Sequence, residues 1–166
     1  MLPEGVRAEL IEGEILMSPS PRSRHQRFAG NFYRALHGFV VGRGLGQVFI
    51  APLDVHLPSG SIVQPDCLVV LKANEHIIKD WVLGVPDLVV EVLSPENSER
   101  DRFVKRELYA ANRVPEYWMA DGETPAIEVL RLSGDRYEPH AYFELADTLS
   151  SPLLPGFVLP VKQAFE

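Results

Sequence analysis

Residues 87–93, DLVVEVL, are apolar at nearly every position and yet carry a glutamate, Glu91, in their midst. A short run that is apolar on both faces reads as a strand inside a sheet, covered from both sides. Glutamate is depleted from strands, and an unpaired buried carboxylate costs several kcal/mol or gives up its charge. The pattern recurs upstream in VQPDCLVVL, where Asp66 opens a second apolar strand. Any fold open to this chain must bury both strands and supply a partner for each acid.

The surrounding pattern sets the architecture. ELIEGEILMSP alternates around a Glu-Gly turn signal and predicts a short hairpin or entry strand. From Ser23 to Val41, the apolar residues Phe28, Phe32, Ala35, Leu36, Phe39 and Val40 recur at helical spacing and predict one long amphipathic helix. The glycines of GRGLG follow that helix, so they read as a turn rather than a dinucleotide-binding loop, which follows a strand. Strands are expected at QVFI, LDVHL and CLVVL, with KANEHIIKDW a polar excursion before DLVVEVL. Ser98 ahead of ERD resembles a capping box, starting a helix that runs to about Asn112. EYWMAD, AIEVLRL and RYEPHAYF predict further strands, and the proline-punctuated tail a closing helical turn. The expected fold is α/β (α+β), a single domain over residues 1–166 with a mixed β-sheet flanked by helices and extra N-terminal and C-terminal strands.

With 166 residues, 46% of them hydrophobic, the chain can bury a core without staples. A single cysteine, Cys67, excludes an internal disulfide framework and a four-cysteine zinc site, and its position on the CLVVL strand makes it a core residue. No stretch approaches the roughly 20 apolar residues of a membrane span. The first residues lack a basic start followed by an apolar segment, so the expected setting is cytoplasmic. A net charge of −7 counts against nucleic-acid binding, which draws on Lys and Arg. The charge is uneven, however. Arg22, Arg24, Arg27 and Arg34 crowd the first helix, and Arg100, Arg102, Lys105 and Arg106 crowd the helix after Glu91. These are either solvated helix faces or surfaces that track a phosphate backbone.

A divalent ion between Asp66 and Glu91 would account for both acids at once. Mg2+ takes oxygen ligands, usually one or two carboxylates with waters and substrate phosphates, and it lowers the pKa of a bound water. The plainer alternative has Asp66 capping its strand and Glu91 paired with Arg102 or Arg106. A helical wheel puts Val104, Leu108 and Ala111 on the buried stripe, with Asp101 and Lys105 along its margin. Lys105 is then either half of an exposed i,i+4 pair with Asp101 or an ammonium held over the metal site. The five histidines show no zinc-ligand spacing. His25 and Gln26, near the start of the first helix, could reach the site, and Asp54 could face it or cap a turn. Ser94 lacks the glycine frame of a nucleophile elbow.

VQPDCLVVL, GVPDLVVEVLSPENSERDRFVKRELYAANRVPEYWMAD, LPGFVLP and the early EGEILMSPSPRSRHQ together resemble the Uma-type restriction-endonuclease family of the P-D…(D/E)-x-K nuclease superfamily. The resemblance implies a restriction-endonuclease-like core and a Mg2+- or Mn2+-dependent endonuclease acting on DNA. It implies metal ligands at Asp66, Glu91 and the main-chain carbonyl of Val92; on the positions read above, His25, Gln26 and Asp101 are the candidate supporting groups. The superfamily pattern has lysine two residues after the glutamate, where this chain has Leu93. In Uma-type proteins the lysine sits on the following helix, in a D-x-x-x-K spacing that Asp101 and Lys105 match. DNA would then be met by Arg22, Arg24, Arg27, Arg102 and Arg106, and pairing to cut both strands implies a homodimer. The competing expectations are a catalytically inactive nucleic-acid- or partner-binding module, and an enzyme of the same fold acting on a small phosphate ester.

Overall fold

The computed structural model describes residues 6–96, 99 and 101–166; Ser98 with its expected cap, Arg100 and the side chain of Asp101 lie outside the described residues. β1 (Val6–Ile11) and β2 (Glu14–Pro19) form the expected hairpin. Its turn residues Glu12 and Gly13 have φ of 50° and 84°. Positive φ at both positions gives the turn whose twist matches paired strands. α1 (Ser23–Val40) comes next, burying Phe28, Phe32, Leu36 and Val40 at intervals of one turn.

The chain then lays down β3 (Gly46–Ile50), β4 (Val55–His56), β5 (Ile62–Val63), β6 (Cys67–Leu71), β7 (Val82–Leu83) and β8 (Leu88–Leu93). A π-helical turn, Asp101–Lys105, runs into α2 (Arg106–Ala111). β9 (Glu116–Asp121), β10 (Ala126–Ser133) and β11 (Arg136–Glu144) come after it. β12 (Thr148–Ser150), β13 (Val158–Pro160) and the short α3 (Val161–Ala164) close the chain.

A six-stranded mixed sheet ordered β11-β10-β9-β8-β6-β3 forms the backbone of the fold. β8 and β9 run parallel, bridged by the π-turn and α2, while β6 runs antiparallel to β8. All six side chains of β8 are buried, as its composition predicts. Alternation along the strands divides the core in two. Val69, Val90, Val92 and Trp118 face α1 and the C-terminal segment. Leu68, Val70, Val89 and Tyr117 face α2 and a smaller sheet ordered β2-β1-β5-β4-β7. Cys67 is wholly buried against α1, as expected. No helix among the described residues is long and apolar enough to cross a membrane.

The register between β6 and β8 explains the two acids. Cys67 pairs with Val90, Leu68 with Val89 and Val69 with Leu88. One step further along that register, Asp66 stands opposite Glu91, at one end of the sheet. Like charges so placed repel, so partners must come from outside the two strands.

The helix after Glu91 corrects the wheel. Val104 is 41% exposed and Ala111 is exposed, whereas Lys105, Leu108 and Tyr109 are buried. A π-turn holds one more residue than an α-turn and rotates the residues after it onto a different face. Lys105 therefore points inward, which leaves, of the two alternatives, the ammonium held at the site rather than the exposed pair with Asp101.

Candidate active site

Asp66 is 3% exposed, and both of its carboxylate oxygens have partners. Oδ2 accepts the Val92 amide at 2.7 Å and lies 3.3 Å from His25 Nε2, while Oδ1 lies 3.4 Å from Arg7 Nη1. Asp66 thus ties off the end of β6 against β8, where the backbone ladder runs out. His25 enters from the first turn of α1 and also places Nε2 2.9 Å from the Val92 carbonyl oxygen. Both partners are acceptors, so Nε2 carries the proton.

Glu91 is 2% exposed. Its Oε1 accepts from Lys105 Nζ at 2.9 Å and from the Tyr109 hydroxyl at 2.7 Å. Lys105, 3% exposed, donates also to Glu9 Oε1 at 3.1 Å. The same Glu9 oxygen accepts the Gln64 amide at 2.8 Å. Neither arginine considered as a partner for Glu91 serves. Arg102 pairs with Asp121, and Arg106 donates to the Tyr137 carbonyl. The π-turn brought the lysine to that position instead.

Electrostatics are set by these neighbours. Burial works to raise the Asp66 pKa, but the His25 hydrogen bond and charge, Arg7 and the Val92 amide together hold it below the usual carboxylate value. Burial works to lower the His25 pKa, and Asp66 with the Val92 carbonyl outweighs it, leaving the imidazole above its ordinary value. Burial and the neighbouring Glu91 push the Tyr109 phenol well up, so it stays a neutral donor.

These groups line a cleft of about 290 Å³ with Arg7, Glu9, His25, Asp66, Glu91 and Lys105 at its base. Its rim carries the Ser18–Arg22 stretch, from the end of β2 to the start of α1, Arg24, and the loop after β8. Arg22 pairs with Glu96, and Arg24 donates to the Gly122 carbonyl and pairs with Glu123. The structure thus brings Asp66, Glu91, Val92, Lys105 and His25 together with Arg22 and Arg24. Gln26 is exposed and does not line the cleft. Arg27 lines a separate depression with Arg34 and Glu166, Arg106 turns to β11, and Asp54 accepts from the Gln64 side chain.

Sequence reasoning missed Arg7, Glu9 and Tyr109. A signal for the first two exists in VRAELI, where Arg7, Glu9 and Ile11 share one strand face. Glu9 and Ile11 are buried there, and charges alternating into a buried face imply opposite charges to meet them.

The donor set suits a hard divalent cation: two carboxylates and a backbone carbonyl, all oxygen. Asp66 Oδ2 and the Val92 oxygen already converge on one N–H group. Among the described residues, no three His, Cys, Asp or Glu side chains form a ready-made metal cluster, which leaves the carbonyl, waters and substrate to complete a coordination sphere.

A family model, Uma2, described as "Putative restriction endonuclease", matches residues 1–162. No curated protein matches the chain. Among solved structures, a "putative nuclease belonging to DUF820" from Anabaena variabilis superposes with a TM-score of 0.80. At 20% identity, with 95% of this chain and 89% of that one covered, the likeness shows a shared fold.

Proposed function

The chain belongs to the Uma2 family, described as "Putative restriction endonuclease", and on that premise we propose that it is a Mg2+- or Mn2+-dependent endonuclease hydrolysing DNA phosphodiester bonds. The observation that carries the reading is the register that sets Asp66 opposite Glu91 at the sheet end, with Lys105 buried between Glu91 and Glu9. Asp66, Glu91 and the Val92 carbonyl would hold the ion, which when bound would neutralise the scissile phosphate and acidify a water. His25 and Arg7 keep Asp66 ionised and fix its oxygens. The Lys105 ammonium faces the cleft, where it can orient the attacking water and offset negative charge growing at phosphorus. Arg22 and Arg24 at the rim, now paired with Glu96 and Glu123, would take phosphates flanking the cut. Cleavage of both strands requires two such clefts, so a homodimer is the assembly this reading implies.

Two observations favour a second reading, a binding module that keeps the fold without catalysis. Each acid already has internal partners, and Leu93 stands where the superfamily carries its lysine. Melting curves with and without Mn2+, for wild type and Glu91→Gln, separate the two. A nuclease gives a rise in Tm with Mn2+ in wild type that Glu91→Gln lacks, together with nicking or cutting of DNA. Equal shifts in both proteins, with no cleavage, would leave only the module.

A further inference from the structure

We propose that Glu9, buried on β1 with its Oε1 3.1 Å from Lys105 Nζ, is the positioning residue that aims the lysine of the reaction from across the cleft. The proposal rests on the endonuclease reading above. In the superfamily pattern, a lysine two residues after the glutamate is fixed by the strand that carries both. Here that position is Leu93. Lys105 instead reaches in from the π-turn on a flexible four-carbon stem, and an ammonium has no geometry of its own to set its direction. Two fixed acceptors are the least that will define its place, and the structure supplies Glu91 at 2.9 Å and Glu9 at 3.1 Å.

The two acceptors are not equivalent. Glu91 is also a prospective metal ligand, and an oxygen shared with a divalent cation is a weaker acceptor for an ammonium. Glu9 belongs to another sheet, and its Oε1 is held in turn by the Gln64 amide at 2.8 Å. It keeps its place whatever Glu91 binds. Burying a carboxylate to 7% exposure is costly, and closing the hairpin onto Gln64 requires only a neutral acceptor. The charge itself is explained by Lys105. Arg7, two residues earlier on the same face, meets Asp66 in the same manner, so β1 sets one counter-charge against each half of the site. Glu9 sits at the base of the cleft with its Oε1 committed to Lys105 and the Gln64 backbone amide, and it acts through Lys105.

A double-mutant cycle tests this, using full-length Glu9→Gln, Lys105→Met and the pair together. Glutamine keeps the acceptor for the Gln64 amide and removes only the charge. With Mn2+ and duplex DNA, Glu9→Gln should lower kcat about 10–100-fold, the range for groups that orient a reacting side chain, with KM little changed. In the Lys105→Met background it should lower kcat no further, and Glu9→Asp should recover part of the loss. A second readout needs no turnover. In metal-free unfolding, Lys105→Met leaves Glu9 and Glu91 facing one another, so adding Glu9→Gln should raise the Tm of that variant. Equal losses of kcat in both backgrounds, or a lower Tm on adding Glu9→Gln to Lys105→Met, would overturn the assignment of Glu9 while leaving the nuclease intact. A wild type that cleaves no DNA overturns the endonuclease reading itself.

Discussion

Lys105 shows how far one side chain can depart from its sequence context. As an exposed partner of Asp101 it would contribute under about 1 kcal/mol. As a buried cation between two carboxylates, its loss strands both charges. Lys105→Ala should therefore lower stability by roughly 3–5 kcal/mol in urea unfolding, and a loss under about 1 kcal/mol would contradict the buried network. Cys67 makes the opposite case, a residue whose role comes from its strand position. Burial, with Asp66 and Glu91 nearby, pushes its thiol well above the ordinary value. Above about pH 8.5 the unfolded thiol ionises while the folded one keeps its proton. The unfolded state then binds fewer protons, and the Cys67 contribution to stability falls as pH rises. Native protein should resist iodoacetamide at about pH 8.5 and react on unfolding, and rapid native labelling would place the thiol elsewhere. Asp66, Glu91 and Cys67 were legible because strand alternation fixes facing. Arg7 and Glu9 were only partly so: the charge alternation of VRAELI marks them, but their partners lie 59 and 96 positions away, and Tyr109 owes its place to the π-turn that the spacing hides.

Among the elements, the hairpin, α1 and the buried strands were legible because each repeats its pattern for several residues. The π-turn was not. Its sequence carries the same apolar spacing as an α-helix, and the extra residue shows only once Lys105 finds its acceptors. The turn after β9 is a second place where an element's exact path matters. A Cβ on Gly122 would lie 2.5 Å from Phe28 Cε2, and the Phe28 ring packs edge-on against Phe165 at 5.2 Å. Gly122→Ala should therefore cost about 1–3 kcal/mol through overpacking, read as a lower Tm. Because Gly122 also presents its carbonyl to Arg24 at 2.6 Å, DNA affinity should fall in the same variant. Phe28→Leu in that background should restore part of the stability, and no restoration would show that the strain lies elsewhere.

For the whole molecule, the net charge of −7 means that, on the endonuclease reading proposed above, attraction for DNA would have to come from the cleft rim. Neutralising Arg22 and Arg24 should flatten the dependence of log K on log salt by about 0.9 for each phosphate that an arginine no longer neutralises. Neutralising Arg27 and Arg106, which lie off the cleft, should leave the slope alone; an equal effect from both pairs would place the DNA on another face. The mixed sheet was predictable from the order of elements, but the closeness of the smaller sheet to the site was not, since beyond its own hairpin β1 joins that sheet through β5, whose pattern is only two residues long. Lys105 and Glu9 stand 96 positions apart, His25 and Val92 67, and Arg7 and Asp66 59. Pairings at such separations form slowly because long loops must close first. On refolding, helical signal should return before cleavage does, and simultaneous recovery would contradict late assembly. During synthesis the ribosome must release residue 105, and β1 must come back to meet it, before the cleft is complete. For the endonuclease proposed above, a half-made chain would thereby be harmless to the genome of the cell that makes it.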